Sequence, residues 1–246
     1  IVNKIFSYPF TILYYLVFIL ILIFFHLIQL VSHRLVGYNA HKISVDWLNF
    51  FLLRCLSLLG ISFEFTNQFE LPQKGPLIII SNHQSTYDIS PIIWHFRKYH
   101  PKFISKSELG SGIPSVSYNL RNGGSVLIDR RHPDMALQNI REFGDKVEKN
   151  QWAAVIFPEG TRSKDGLPKK FHTKGLMSLF EKIPNATVVA LSINNSWKLA
   201  RYSYFPIPIG TKVTLKVQGI FRLKDHEPMD LFNKIEQLIT KGIKQY

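Results

Sequence analysis

From Phe10 to Val31 the chain carries no charged residue and is dominated by Leu, Ile, Phe and Tyr. A helix of roughly 22 residues is about 33 Å long, enough to cross a hydrocarbon core of about 30 Å. The apolar region of a cleaved signal is only about 7–15 residues and precedes a small-residue cleavage site, and neither description fits. The pattern predicts a membrane helix. A polar break from Ser32-His33-Arg34 to His41-Lys42 follows, then Ile43 to Leu59, where Trp47, Phe50, Phe51, Leu52 and Leu56 are mixed with Asp46, Asn49 and Arg54. That mixture predicts an amphipathic helix at the membrane surface, with a core helix of the globular domain as the alternative.

From Ile61 the pattern changes to alternating strands and helices. Short β-branched and apolar runs predict strands at 61–66, 77–80, 102–105, 125–128, 152–157, 187–193 and 212–217. Helices are expected at 87–99, with Pro91 in its first turn or kinking it, and at 133–149, 174–182 and 230–244. Alternation of this kind predicts an α/β domain with a mixed, largely parallel sheet flanked by helices, over residues 61–246. Residues 1–60 form the N-terminal membrane-embedded helical segment.

Charge narrows the partners. A net charge of +13 implies a phosphorylated substrate, an anionic membrane lipid or nucleic acid. No fold motif of the nucleic-acid kind is present, so nucleic acid is not expected. Basic residues after the apolar run, Arg34 and Lys42 first, place the domain on the cytoplasmic side. The single cysteine, Cys55, excludes an internal disulfide and reads as a buried small hydrophobe. The nine histidines show no zinc-like spacing; His95 and His100 are close but read as a helix end, and no metal site is expected.

Three predicted strands end in polar clusters. Leu77-Ile80 leads to Asn82-His83-Gln84-Ser85-Thr86-Tyr87-Asp88, Ser125-Ile128 leads to Asp129-Arg130-Arg131, and Trp152-Phe157 leads to Pro158-Glu159-Gly160-Thr161-Arg162-Ser163. If these strands are parallel neighbours, all three clusters open on one edge of the sheet, where α/β folds place their sites. A neutral imidazole at His83 accepts a proton at neutral pH, and a carboxylate at Asp88 fixes its tautomer and stabilises the imidazolium. Ser85 lacks a nucleophile elbow, so the base acts on a hydroxyl supplied by the substrate. Arg162, after a Gly-Thr turn, can grip a phosphate together with backbone N–H groups. Arg130 is the second phosphate ligand, unless Asp129 pairs with it. Glu159 is expected to orient an arginine or lysine.

The pairing of NHQSTYD with FPEGTRS, with GSVLIDR between them, strongly resembles the glycerolipid acyltransferases that acylate lysophosphatidic acid. The resemblance runs from about Phe63 to Ser196. It implies transfer of an acyl chain from acyl-CoA or acyl carrier protein to the sn-2 hydroxyl of 1-acyl-glycerol 3-phosphate, without a cofactor and without an acyl-enzyme. It implies that His83 deprotonates the hydroxyl, supported by Asp88, and that Arg130, Glu159, Thr161 and Arg162 form the glycerol-phosphate site. It also implies that Lys106 and the Gly160 amide lie near the thioester oxyanion. One departure stands out: Ala190 occupies a place where the family usually carries a proline, which leaves the acceptor pocket open to another lyso-lipid, a lysophospholipid or an aminolipid. The alternative from another class, a non-catalytic membrane-tethered basic module, gives the His/Asp and FPEGTRS pairing no purpose.

Overall fold

A computed structural model describes residues 2–244. Two helices, α1 (Val2–Leu35) and α2 (Tyr38–Leu56), precede seven strands and five further helices. The strands are β1 (Ser62–Thr66), β2 (Leu77–Ser81), β3 (Pro101–Lys106), β4 (Val126–Ile128), β5 (Ala153–Ile156), β6 (Thr187–Asn194) and β7 (Lys212–Arg222). The helices between and after them are α3 (Ile89–His95), α4 (Val116–Asn122), α5 (Pro133–Asn150), α6 (Thr173–Lys182) and α7 (Pro228–Lys241).

The strands form one sheet in the order β1-β7-β6-β2-β5-β3-β4. From β6 to β4 all neighbours are parallel, whereas β7 runs antiparallel to β6 and parallel to β1. The mixed, largely parallel sheet is therefore as expected. The strand at 212–217 is longer than its apolar run suggested: β7 continues to Arg222, with Gly219 opposite Ala190 and a register shift between Ala190 and Leu191. The helix expected at 87–99 is broken into a single turn at Thr86–Asp88, α3, and another turn at Arg97–Tyr99. Pro91 lies in the first turn of α3, where its missing N–H costs nothing.

Successive side chains of a strand face opposite sides, and β2 shows why its run is continuously apolar. Leu77 and Ile79 enter one core with α1, α2 and α3, while Ile78 and Ile80 enter the other with α5, α6 and α7. A parallel sheet covered on both faces needs such a run.

Helix α1 is docked lengthwise. Ser7, Thr11, Tyr14, Leu22, Phe25 and Gln29 are buried along one face at helical spacing, whereas Phe6, Leu16, Leu20, Phe24, Leu27 and Val31 are more than half exposed on the other. Its contacts with the rest of the chain run along its length: Ile207 N donates to Thr11 Oγ1 (3.0 Å), Ser115 N donates to His26 Nδ1 (3.1 Å), and His33 Nδ1 is 2.9 Å from Tyr118 Oη. Helix α2 buries one face against the domain and exposes apolar residues on the other. Ser44, Val45, Leu48, Leu52, Cys55 and Leu56 are buried, while Ile43, Trp47 and Phe51 point outward. Tyr14, Val45, Cys55 and Leu56 share one core with the sheet, so residue 60 marks a change of composition and not of packing.

Candidate active site

Strands β2 and β5 are parallel neighbours, with Ile80 opposite Ile156, so the loops that leave them start side by side. Asn82 continues the β2–β6 pairing with its side chain: Nδ2 donates to Ile193 O (2.8 Å) and Oδ1 accepts from Ile193 N (2.7 Å). The next residue turns out of the sheet. His83 N donates to Glu159 Oε1 (2.8 Å), Ser163 N donates to His83 O (2.8 Å), and Gln84 Nε2 donates to Gly166 O (3.1 Å). These bonds join the two motif loops through backbone groups, which fixes them more rigidly than contacts between long side chains would.

His83 Nδ1 lies 2.8 Å from Asp88 Oδ2. That oxygen also accepts from the backbone N–H groups of Gln84 (2.7 Å) and Ser85 (3.0 Å). A carboxylate already bound to two donors accepts the third from Nδ1–H, so the free pair of the imidazole is on Nε2. The Asp88 side chain is fully buried, and the His83 side chain retains 18% exposure. The imidazole is thus held from behind and open in front. Phe157 stacks flat on the ring at 4.1 Å and 15°, fixing its plane. Ser85 is buried; its Oγ accepts from Tyr87 N (3.1 Å) and shares a short hydrogen bond with Ser196 Oγ. It braces the loop and does not face a substrate.

The FPEGTRS loop departs from expectation at two positions. Glu159 is buried and orients neither arginine nor lysine side chain: its second oxygen accepts from Lys169 N (2.9 Å). Burial raises its pKa, against the lowering effect of the two N–H donors. Gly160, in the left-handed region at φ 70°, commits its N–H to Phe157 O (3.0 Å), so in this arrangement that amide is not free for an oxyanion. Next along the loop, the Thr161 and Arg162 N–H groups have no partner among the described residues.

Arg130, leaving β4, donates to Gly160 O, so the third strand end meets the second although β3 lies between them. Asp129 pairs with Arg131 (2.6 Å) rather than Arg130. Arg162 is exposed, and its Nη1 donates to Tyr204 Oη (2.7 Å). Lys169 Nζ donates to Thr161 Oγ1 (2.8 Å) and Arg162 O (3.1 Å). Lys106 is exposed at the end of β3, beside Ile128 in register. Ala190 is fully buried in the core under α5, α6 and α7, so its departure from the family pattern alters packing and not the site's lining. His95 stacks on Phe65 (4.3 Å) and His100 Nδ1 meets Tyr38 Oη (2.9 Å), which separates the two histidines that sequence brings close.

The chain is 35% identical over 154 residues to a 1-acyl-sn-glycerol-3-phosphate acyltransferase of Helicobacter pylori, covering 59% of this chain and 61% of that protein. It is 33% identical over 139 residues to one of Cocos nucifera, covering 55% and 44%. The matched stretch thus spans less than two thirds of either relative. The 1-acyl-sn-glycerophosphate (LPA) acyltransferase PlsC of Thermotoga maritima has the same fold, with a TM-score of 0.80 at 23% identity over 98% of this chain and 95% of that one. A family model described as Acyltransferase matches residues 62–194, a stretch that contains all three strand-end clusters, and the chain belongs to that family.

Proposed function

We propose that this protein transfers a fatty acyl group from acyl-CoA or acyl carrier protein to the sn-2 hydroxyl of 1-acyl-glycerol 3-phosphate, giving phosphatidic acid. The observation that carries the reading is His83: its Nδ1 is occupied by Asp88, its Nε2 is free, and the neighbouring serine is committed to structure. The sn-2 hydroxyl gives its proton to Nε2 as its oxygen bonds to the thioester carbonyl carbon. Collapse of the tetrahedral oxyanion re-forms the C=O and breaks the C–S bond, and the thiolate takes the proton back from the imidazolium. Donors aimed at the oxyanion lower this barrier. The exposed Lys106 ammonium and the N–H groups of Thr161 and Arg162, which have no partner among the described residues, suit that task better than the Gly160 amide. Arg130 and Arg162 supply positive charge for the acceptor's phosphate.

The lipid acceptor fits the outer surface. Helix α1, 34 residues and so about 51 Å long, is long and apolar enough to cross a membrane, yet the domain lines it from Ser7 to His33. A helix covered along its length by an α/β domain lies in one face of the bilayer rather than across it. Its exposed apolar ridge and that of α2 enter the lipid on this reading, and the net charge of +13 holds the domain to anionic headgroups on the cytoplasmic side.

The test is acyl transfer by the purified full chain in phosphatidylglycerol-containing vesicles, with lysophosphatidate and oleoyl-CoA or oleoyl carrier protein, read by mass spectrometry. Phosphatidate is expected from the wild type and none from a folded His83→Ala variant. Wild-type turnover by that variant would remove His83 from the mechanism.

A further inference from the structure

The loop from Asn195 to Thr211 joins β6 to β7 and touches both the membrane-facing helix and the FPEGTRS turn. On the helix side, Tyr15 Oη donates to Tyr204 O (2.8 Å), Thr11 Oγ1 accepts from Ile207 N, Phe205 meets Tyr8 edge-on (5.5 Å), and the Lys4 ammonium lies 4.5 Å from the Tyr202 ring centre. On the site side, the ring of Tyr204 packs against Tyr87 (5.8 Å) within the His/Asp motif. Ser203 and Tyr204 both hold left-handed backbone conformations, at φ 51° and 69°. Non-glycine residues rarely adopt this region, and two in succession persist only where surrounding contacts over-determine them. Those contacts deliver one atom, Tyr204 Oη, to the Arg162 guanidinium.

The hydrogen-bond inventory at that oxygen is unbalanced. Tyr204 Oη accepts from Arg162 Nη1 (2.7 Å), and Thr86 N approaches it at 3.4 Å. A phenol has one proton to give besides its lone pairs, and with donors facing the lone pairs that proton points elsewhere. Arg162 for its part pairs with no carboxylate among the described residues. A guanidinium held by a neutral oxygen keeps its full charge and its remaining N–H groups for an anion.

We propose that Tyr204 is a ligand of the acceptor's phosphate: it receives one Arg162 N–H and donates its own O–H to a phosphate oxygen that Arg162 also binds. This rests on the function proposed above and deepens it. The acceptor's headgroup is gripped by a pair, one member from the FPEGTRS loop and the other from a loop seated on the membrane helix. A phosphate lying where α1 meets the domain is at the depth at which a lipid headgroup sits.

Tyr204→Phe keeps the ring against Tyr87 and the backbone bond to Tyr15, and removes the hydroxyl alone. Loss of a hydrogen bond to a charged group is expected to raise the KM for lysophosphatidate about tenfold or more, with kcat within about twofold and the KM for oleoyl-CoA unchanged. In the Arg162→Ala background the same change is expected still to raise that KM severalfold, because the phenol binds phosphate itself. No effect of Tyr204→Phe in that background means Tyr204 acts only by placing Arg162 and overturns its role as a ligand. An unchanged KM for lysophosphatidate in the single variant, or an equal rise for both substrates, overturns the proposal outright while leaving the function standing. Failure of the wild type to acylate lysophosphatidate overturns both.

Discussion

Asp88→Asn isolates the charge of the His/Asp pair from its geometry. Asp88 Oδ2 accepts three N–H groups, from His83 Nδ1, Gln84 and Ser85, while Oδ1 is buried without a partner among the described residues. An asparagine can place its amide oxygen where Oδ2 sits and its NH2 where Oδ1 sits. All three bonds persist, and so does the tautomer that leaves Nε2 free. Stability is expected to change by no more than about 1–3 kcal/mol, the cost of one buried unmatched group. What disappears is the attraction between a carboxylate and the imidazolium formed as the hydroxyl loses its proton. For opposite unit charges roughly 4 Å apart at an effective dielectric of about 20 this is about 4 kcal/mol, or about three decades in rate. The retained neutral hydrogen bond recovers part of it, so kcat is expected to fall about 10²–10³-fold. The assay is release of CoA thiol with lysophosphatidate, beside a thermal melt of each variant. A fall of less than about fivefold in a folded variant would show that the charge of Asp88 does not act on His83. Loss of folding would make the carboxylate architectural instead.

Two further substitutions probe the scaffold. Glu159→Gln replaces an acceptor of two backbone N–H groups, those of His83 and Lys169, by one acceptor and one donor, so a donor must face a donor; a loss of about 1–3 kcal/mol and a larger fall in kcat are expected, and an unchanged melting temperature with unchanged kcat would show that this bridge is dispensable. Lys102 is buried beside the stacked rings of Tyr38 (5.0 Å) and Trp152 (4.9 Å), and burial lowers its pKa to about 7. Between about pH 7 and the unfolded value near 10.4, the unfolded chain binds a proton that the folded one does not, so stability rises with pH in that window and the buried ammonium weighs most heavily below pH 7. Lys102→Met is expected to raise the melting temperature at pH 6 and flatten its rise from pH 7 to 9; an identical slope in the variant would refute this titration.

The parts of this molecule legible in sequence are those whose cause is local. A run such as Leu77-Ile80 is apolar at every position because both faces of β2 are covered, and the chemistry follows where such runs stop. The His83–Asp88 spacing is local too, since one turn at Thr86–Asp88 closes it. The rest depends on partners distant in sequence. Asn82 meets a backbone 111 residues away, and Arg162 meets Tyr204 42 residues away. Nothing in the alternation of apolar and polar positions marks Tyr204, whose signal lies in its backbone conformation. Glu159 departs from its local signal for a related reason: a carboxylate in a basic stretch suggests an ion pair, but both of its oxygens are taken by N–H groups of loops that only the folded sheet brings together. The inward face of α1 is equally hidden, because it carries the polar Ser7, Thr11 and Gln29 while the exposed face is apolar, the reverse of the stripe that marks the buried side of a soluble helix.

On the proposed function, the two faces of the sheet suit the approaches of two chemically unlike substrates. One face is covered by α1, α2 and α3, whose outer surfaces present Leu16, Leu20, Phe24, Trp47 and Phe51. The opposite face is covered by α5, α6 and α7, and α5 is polar on its outer side. On the proposed reading, a lysolipid reaches the seam from the first face and a water-soluble thioester from the second. His83 lies at the sheet edge between them, braced by the β5 loop on one flank and by its own Asp88 turn behind. On this reading, a base at the seam serves both substrates, because the hydroxyl and the thioester meet over it. On that reading, direct attack on the thioester suits the position of the membrane face, and the Ser85 hydroxyl, engaged with Ser196, offers no competing nucleophile.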